Sequence, residues 1–258
     1  MIEIDSNLKR KLVLGKDIPF KDLLIKQATI EVIDTIGEDT FFSYIYPYTL
    51  TLDSIQLPDE FKNGFNVYDM LFIIDEINRL NNNFKEEESL VNMFKSSLYF
   101  FFDTDDIVHL DKSNVNSFMI NHRTMIDRND FEDLAELILL ICRSKKIEIK
   151  KEEDIFAGKS EEWIKRYKRH LEKREKYKKK HKNDDGLYRI INAVIHFYQS
   201  TVDYKQLDKW TYWQLINTYE TFINKERYLY NLSLLTVITK EEAKKLDLKH
   251  WSEKLNIK

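Results

Sequence analysis

SEEWIKRYKRHLEKREKYKKKHK, Ser160 to Lys182, divides the chain. It contains no Gly or Pro, so it predicts one helix of about six turns at 3.6 residues per turn. Ser160 is a good N-cap, and Glu161 and Glu162 place negative charge at the positive end of the helix dipole. Between Lys165 and Lys182 there are eleven Lys/Arg against two Glu, a local charge of +9 in a chain of net charge −3, so the remainder sums to −12 (−3 less 9). The chain is thus expected to have two parts, an N-terminal part over 1–127 and a helical part over 128–258 that contains this basic rod.

The 258 residues are enough for one large domain or two small ones with a sizeable core. With 43% hydrophobic and 33% charged residues, the composition is that of a soluble globular chain rather than a disordered one. Gly 5 and Pro 3 leave few tight turns and favour long helices. A single cysteine, Cys142, excludes an internal disulfide and fits a reducing compartment. The start, MIEIDSNLKRK, has no apolar core of a signal peptide, and the apolar run Leu137–Cys142 is too short to span a bilayer. No membrane association is expected.

Outward from the rod, the N-terminal part reads as short helices followed by a small sheet. Leu12-Val13-Leu14, Gly15-Lys16-Asp17 and Ile18-Pro19-Phe20 have the pattern of strand, turn and strand. Thr29 to Gly37 reads as a helix capped by Thr29, and a second runs from Glu38 to Tyr46, closed by Pro47. Val67 to Leu80 is a third and Glu86 to Lys95 a fourth. The aromatic run Ser97–Phe102 then opens an antiparallel meander that continues through Ile107–Leu110, Ser117–Ile120 and Thr124–Asp127.

In the C-terminal part, Asn129 to Arg143 reads as a central helix with Asn129 and Glu132 as its capping box, and Cys142 as an inert buried thiol. Past the rod, Asp184-Asp185-Gly186 starts a helix over Leu187–Gln199. Thr211 and Gln214 form a capping box for a long aromatic helix, Tyr212 to about Leu235, and Thr239 and Glu242 open a last short one. The fold class is thus α+β and mostly α-helical: a small antiparallel β-meander in the N-terminal part, and long helices with a protruding basic helix in the C-terminal part.

Several landmarks resemble a known group. KQATIEVIDTIGEDTFFSYIYPYTL (Lys26–Leu50) resembles the opening of a protein from the tail-gene clusters of phages of Gram-positive bacteria. The later order is similar too: Asn66-Val67-Tyr68-Asp69-Met70, a meander ending in Met125-Ile126-Asp127-Arg128, an apolar helix, a lysine-rich helix, then LINTYETFINKERYLYNLSLL (Leu215–Leu235) and DLKHW (Asp247–Trp251). The chain resembles a tail assembly chaperone. That resemblance implies binding rather than catalysis, with a phage tail protein, above all the tape measure, as partner. It implies the host cytoplasm as location, or the virion tail for a retained tail or baseplate component. Self-association is a further partner reading.

The basic helix has three readings: a solvated rod, a dock for an acidic surface of a partner or of another copy, and a phosphate-binding element. Its cations include Lys165, Arg166, Arg169, Arg174, Lys178, Lys179 and Lys180. Trp163, Tyr167 and Tyr177 lie among them and suit base stacking, but Trp163 and Tyr167 are i,i+4 neighbours that more simply pack the helix start onto the body. The acidic balance of the chain, pI ≈ 6.1, argues against nucleic acid.

The aromatic set Tyr204, Trp210, Tyr212, Trp213, Tyr219, Phe222, Tyr228 and Tyr230 is denser than one helix face needs. Core packing accounts for most of it. Trp210, Trp213, Tyr219, Arg227 and Tyr230 are the expected partner-binding anchors, because Trp, Tyr and Arg dominate interface energetics.

Asp103-x-Asp105-Asp106 has metal-like spacing, but it lacks the Gly and the distant Glu of an EF-hand loop and lies where Asp serves turns. No metal or cofactor is expected. The six histidines show no metal-ligand spacing, and His109 and His122 read as a cross-strand packing pair. No phosphate loop, nucleophile elbow or H-E-x-x-H occurs, so no enzyme is expected.

Overall fold

The computed structural model describes residues 4–55, 64–81, 85–112, 115–148, 158, 160–180, 186–198, 202–243, 246 and 248–254. The chain is mostly helical with small antiparallel sheets. It opens with a helix, α1 (Ser6–Val13), where a strand was expected up to Leu14. Asp5 caps it, accepting from Leu8 N at 2.7 Å, and Leu8 and Leu12 turn inward one helical turn apart. The hairpin lies later, between β1 (Ile18–Phe20) and β2 (Leu23–Ile25), with Ile18 opposite Ile25. Lys21 makes its turn at φ 51°. Gly15, at φ 63°, belongs to the link after α1, and a Cβ there would meet Thr211 Cγ2 at 3.1 Å.

α2 (Ile30–Ile36) is capped by Thr29 as read from sequence. α3 (Glu38–Thr49) runs past Pro47, which sits inside its last turn rather than ending it. Burial explains the extension: Tyr48 is 1% exposed and its hydroxyl hydrogen-bonds that of Ser97 at 2.6 Å. α4 (Val67–Leu80) starts at a reciprocal Asn66–Asp69 box.

α5 (Leu90–Phe102) takes in the aromatic run Ser97–Phe102, which is therefore helix and not the first strand of the meander. Its hydroxyl cap is Ser89, and Asp103 stops it in the left-handed region at φ 48°. Phe94, Leu98 and Phe101 face the core at i, i+4 and i+7 spacing. The meander proper has three strands, β3 (Ile107–Lys112), β4 (Val115–Ile120) and β5 (Thr124–Ile126), in that order and antiparallel. α6 (Phe131–Ile141) begins after Asp130, not Asn129; no side chain caps it, because Asp130 instead accepts from Asp127 N at 3.1 Å.

α7 (Glu161–Lys180) is the basic helix, α8 (Gly186–Tyr198) and the single turn α9 (Tyr204–Leu207) follow, and α10 (Tyr212–Leu234) is the long aromatic helix. A four-residue α11 (Lys240–Ala243) and a 3-10 turn (Trp251–Lys254) complete the described chain. Asp184 and Asp185 lie outside the described residues.

The core is one cluster drawn from both sides of residue 127. α3 lies between α5 and α6, and α10 packs on α8 and α1. Tyr48, Tyr68, Phe94, Phe118 and Phe131 form an interlocked set of rings with centroids 5.3 to 5.9 Å apart. Leu187, Val194, Leu207, Trp213 and Leu215 belong to the same cluster as Leu8 and Leu12. The seam between chain start and α10 is a backbone bridge: Thr29 pairs with Thr211, Ile30 N donates to Trp210 O at 2.9 Å, and Tyr212 N donates to Ala28 O at 2.8 Å.

Candidate interaction surfaces

α10 begins rooted and ends uncovered. Thr211 and Gln214 form the reciprocal box read from sequence, and Gln214 Nε2 also reaches Val13 O at 2.8 Å. Trp213, Leu215 and Ile216 are buried in this first stretch. Beyond Ile216 no residue of α10 is fully buried. Leu229, Tyr230, Leu232, Leu235 and Val237 are all exposed, Tyr230 at 63% and Val237 at 76%. The 3-10 turn at Trp251 packs back on this half of the helix, with His250 edge-on to Tyr228 at 5.2 Å.

The five expected anchors separate accordingly. Trp213 is 1% exposed, with the Arg143 guanidinium 5.7 Å from its ring centroid, so it is a core residue and unavailable to a partner. Its indole N–H has no hydrogen-bond partner among the described residues. Arg143 is itself tied to Glu220. Trp210 is half-buried against Tyr198, and Tyr219 is half-buried against the core. Arg227 and Tyr230 are exposed. The aliphatic residues around Tyr230 were not among the expected anchors. Their signal is the charge-free run from Tyr228 to Thr239, too long to be covered by one helix face.

Residues 178–256 match the family model of the YomV second domain. No curated protein and no solved structure matches the chain. The matched region begins at the end of the basic helix and takes in α8, α10 and the exposed run.

α7 is capped by Ser160, whose hydroxyl accepts from Trp163 N at 3.3 Å. Trp163 and Tyr167 stack on each other, centroids 5.1 Å apart, and Trp163 remains 39% exposed. Lys165, Arg166 and Arg169 are exposed. Arg174, Lys178, Lys179 and Lys180 continue the helix, and their side chains lie outside the described part.

The acidic loop serves turns and ion pairs. Asp103 pairs with Lys26 at 3.1 Å, and the hydrogen bond and charge of Asp103, with Asp17 behind it, raise the Lys26 pKa. Asp106 pairs with His122 at 3.4 Å. Among the described residues no group of three or more His, Cys, Asp or Glu is placed to hold a metal ion. His109 and His122 do not face each other: His109 stands opposite Phe118 and stacks against both Phe72 and Phe118, while His122 lies in the β4–β5 turn. Cys142 is buried and burial pushes its thiol up, which leaves it protonated and unreactive. No helix of the described residues is long and apolar enough to cross a membrane.

Proposed function

We propose that the chain is a non-enzymatic assembly factor of a phage tail, a chaperone that binds the tape measure or another tail protein while the tail is built. The observation that carries this reading is the set of exposed apolar side chains at the end of α10 and just beyond it, Leu229, Tyr230, Leu232, Leu235 and Val237. Amphipathic client helices are held by apolar and aromatic contact, with charge at the rim for register. The resemblance of Lys26–Leu50 and of the later landmarks to tail assembly chaperones supports it. So does the match over 178–256, since YomV is a protein of a Bacillus prophage region.

Affinity capture from infected cells tests the reading. Tagged protein should recover a tail protein, and L229D/L232D should recover at least about tenfold less, as expected for central interface residues. Recovery of unrelated proteins alone defeats it. Mass spectrometry of purified particles separates a chaperone, absent or substoichiometric, from a tail component that stays in the virion.

A further inference from the structure

The cations of α7 stand in a row. On a helix turning about 100° per residue, Lys165, Arg166, Arg169 and Lys173 fall within one arc of about 100°, at i, i+1, i+4 and i+8. All four are exposed, and among the described residues none of them is ion-paired or hydrogen-bonded through its side chain. The same spacing puts Lys176 and Lys180 on this arc further along, so the row is about 22 Å long at 1.5 Å per residue. Between Trp163 and Lys180 every position on the arc is Lys or Arg. Glu162 shares the arc at the first turn, Glu172 stands just beside it and Glu175 is farther round.

The apolar residues of α7 lie on the other side of the helix. Trp163, Ile164, Tyr167 and Leu171 fall on the opposite arc, and the Trp163 ring stacks on Tyr167. No other described element packs broadly on α7.

This division selects the partner. A protein groove holds a helix by apolar anchors with charge at their rim, and the row has no apolar residue within it. Single-stranded nucleic acid is gripped by aromatic faces, whereas Trp163 and Tyr167 lie across the helix from the row. A lipid surface takes up the apolar face of a helix, and here Ile164 and Tyr167 are already half-buried. What remains is a partner held by charge alone that offers a continuous line of anions. We propose that the row binds the phosphate backbone of a nucleic-acid duplex, without regard to base sequence. The acidic balance of the chain then acts on position: the −12 carried outside the helix repels a duplex from the rest of the surface and confines contact to α7.

Fluorescence anisotropy of a short labelled DNA duplex of arbitrary sequence, titrated with the full chain, reads the outcome. Six cations on six phosphates give a slope of log affinity against log salt of about −5, a loss of roughly 10³-fold between about 50 and 200 mM. K173Q/K176Q removes two of them and should flatten the slope by about 2, and Gln is as good a helix former as Lys. K205Q/K209Q, at exposed cations outside α7, should leave the slope unchanged. No binding at about 50 mM salt overturns the proposal, as does a slope indifferent to K173Q/K176Q. Tighter binding of the same oligonucleotide as a single strand overturns it too. So does equal or tighter binding of phosphatidylserine vesicles or of polyglutamate, which would make the row a membrane contact or an acidic-protein contact.

Discussion

Asp75 is the most demanding single residue in the core. Its carboxylate is 4% exposed and lies at the start of α5, where it accepts from the Ser89 hydroxyl, from Leu90 N at 3.0 Å and from Val91 N at 3.2 Å. Two of the donors that a helix start leaves open are thereby satisfied away from water. Asp75→Ala strands all three donors, so it should cost roughly 3 kcal/mol in urea unfolding, with Asp75→Asn about half as harmful because one oxygen remains to accept. At this scale the sequence was legible for type and not for direction. Trp213 and Tyr230 look alike as aromatic positions on one helix. Which is core and which is surface follows from where α1 and α8 lie, and that is tertiary information.

Caps carry the elements that were read correctly. Asn66 with Asp69 and Thr211 with Gln214 make reciprocal boxes, and α4 and α10 start where those boxes place them. Thr211→Ala should lower stability by about 1 kcal/mol. Gln214→Ala should cost more, since it also releases Val13 O, and the double variant should fall short of the sum because the two share bonds. A urea series over the four proteins checks this. The misread elements fail for reasons of packing. Ser97–Phe102 has strand-favouring side chains, yet Ser89 starts a helix upstream and three of its inward positions already fit the core, so the run continues as helix. Pro47 sits one residue before a ring buried against Phe94 and Phe131, and that burial outweighs the bond a proline removes. α1 was hidden because its apolar residues are only Leu8, Leu12 and Val13 among charges.

As a whole the molecule should be sensitive to alkali. Burial raises the pKa of Cys142, Tyr48 and Tyr68, and pushes Tyr212 up to about 12. Each group keeps its proton when folded and loses it more easily when unfolded. Their stabilisation is therefore complete below the unfolded values, near 9.0 for the thiol and 10.0 for the phenols, and is lost as pH rises through the folded ones. The unfolding free energy from urea titrations should be level through neutrality and fall above about pH 9, by up to about 1.4 kcal/mol per pH unit for each group that titrates. Cys142→Ala should delay the onset, because the thiol has the lowest unfolded value of the four.

The bridge between Thr29 and Thr211 also sets a timetable. Ile30 and Tyr212 are 182 residues apart, and a ribosome adding ~5–20 residues each second needs roughly 9–36 s to travel that far. Through that interval α1 and the backbone at 28–31 of a newborn chain wait for the segment around Thr211 that translation has yet to deliver.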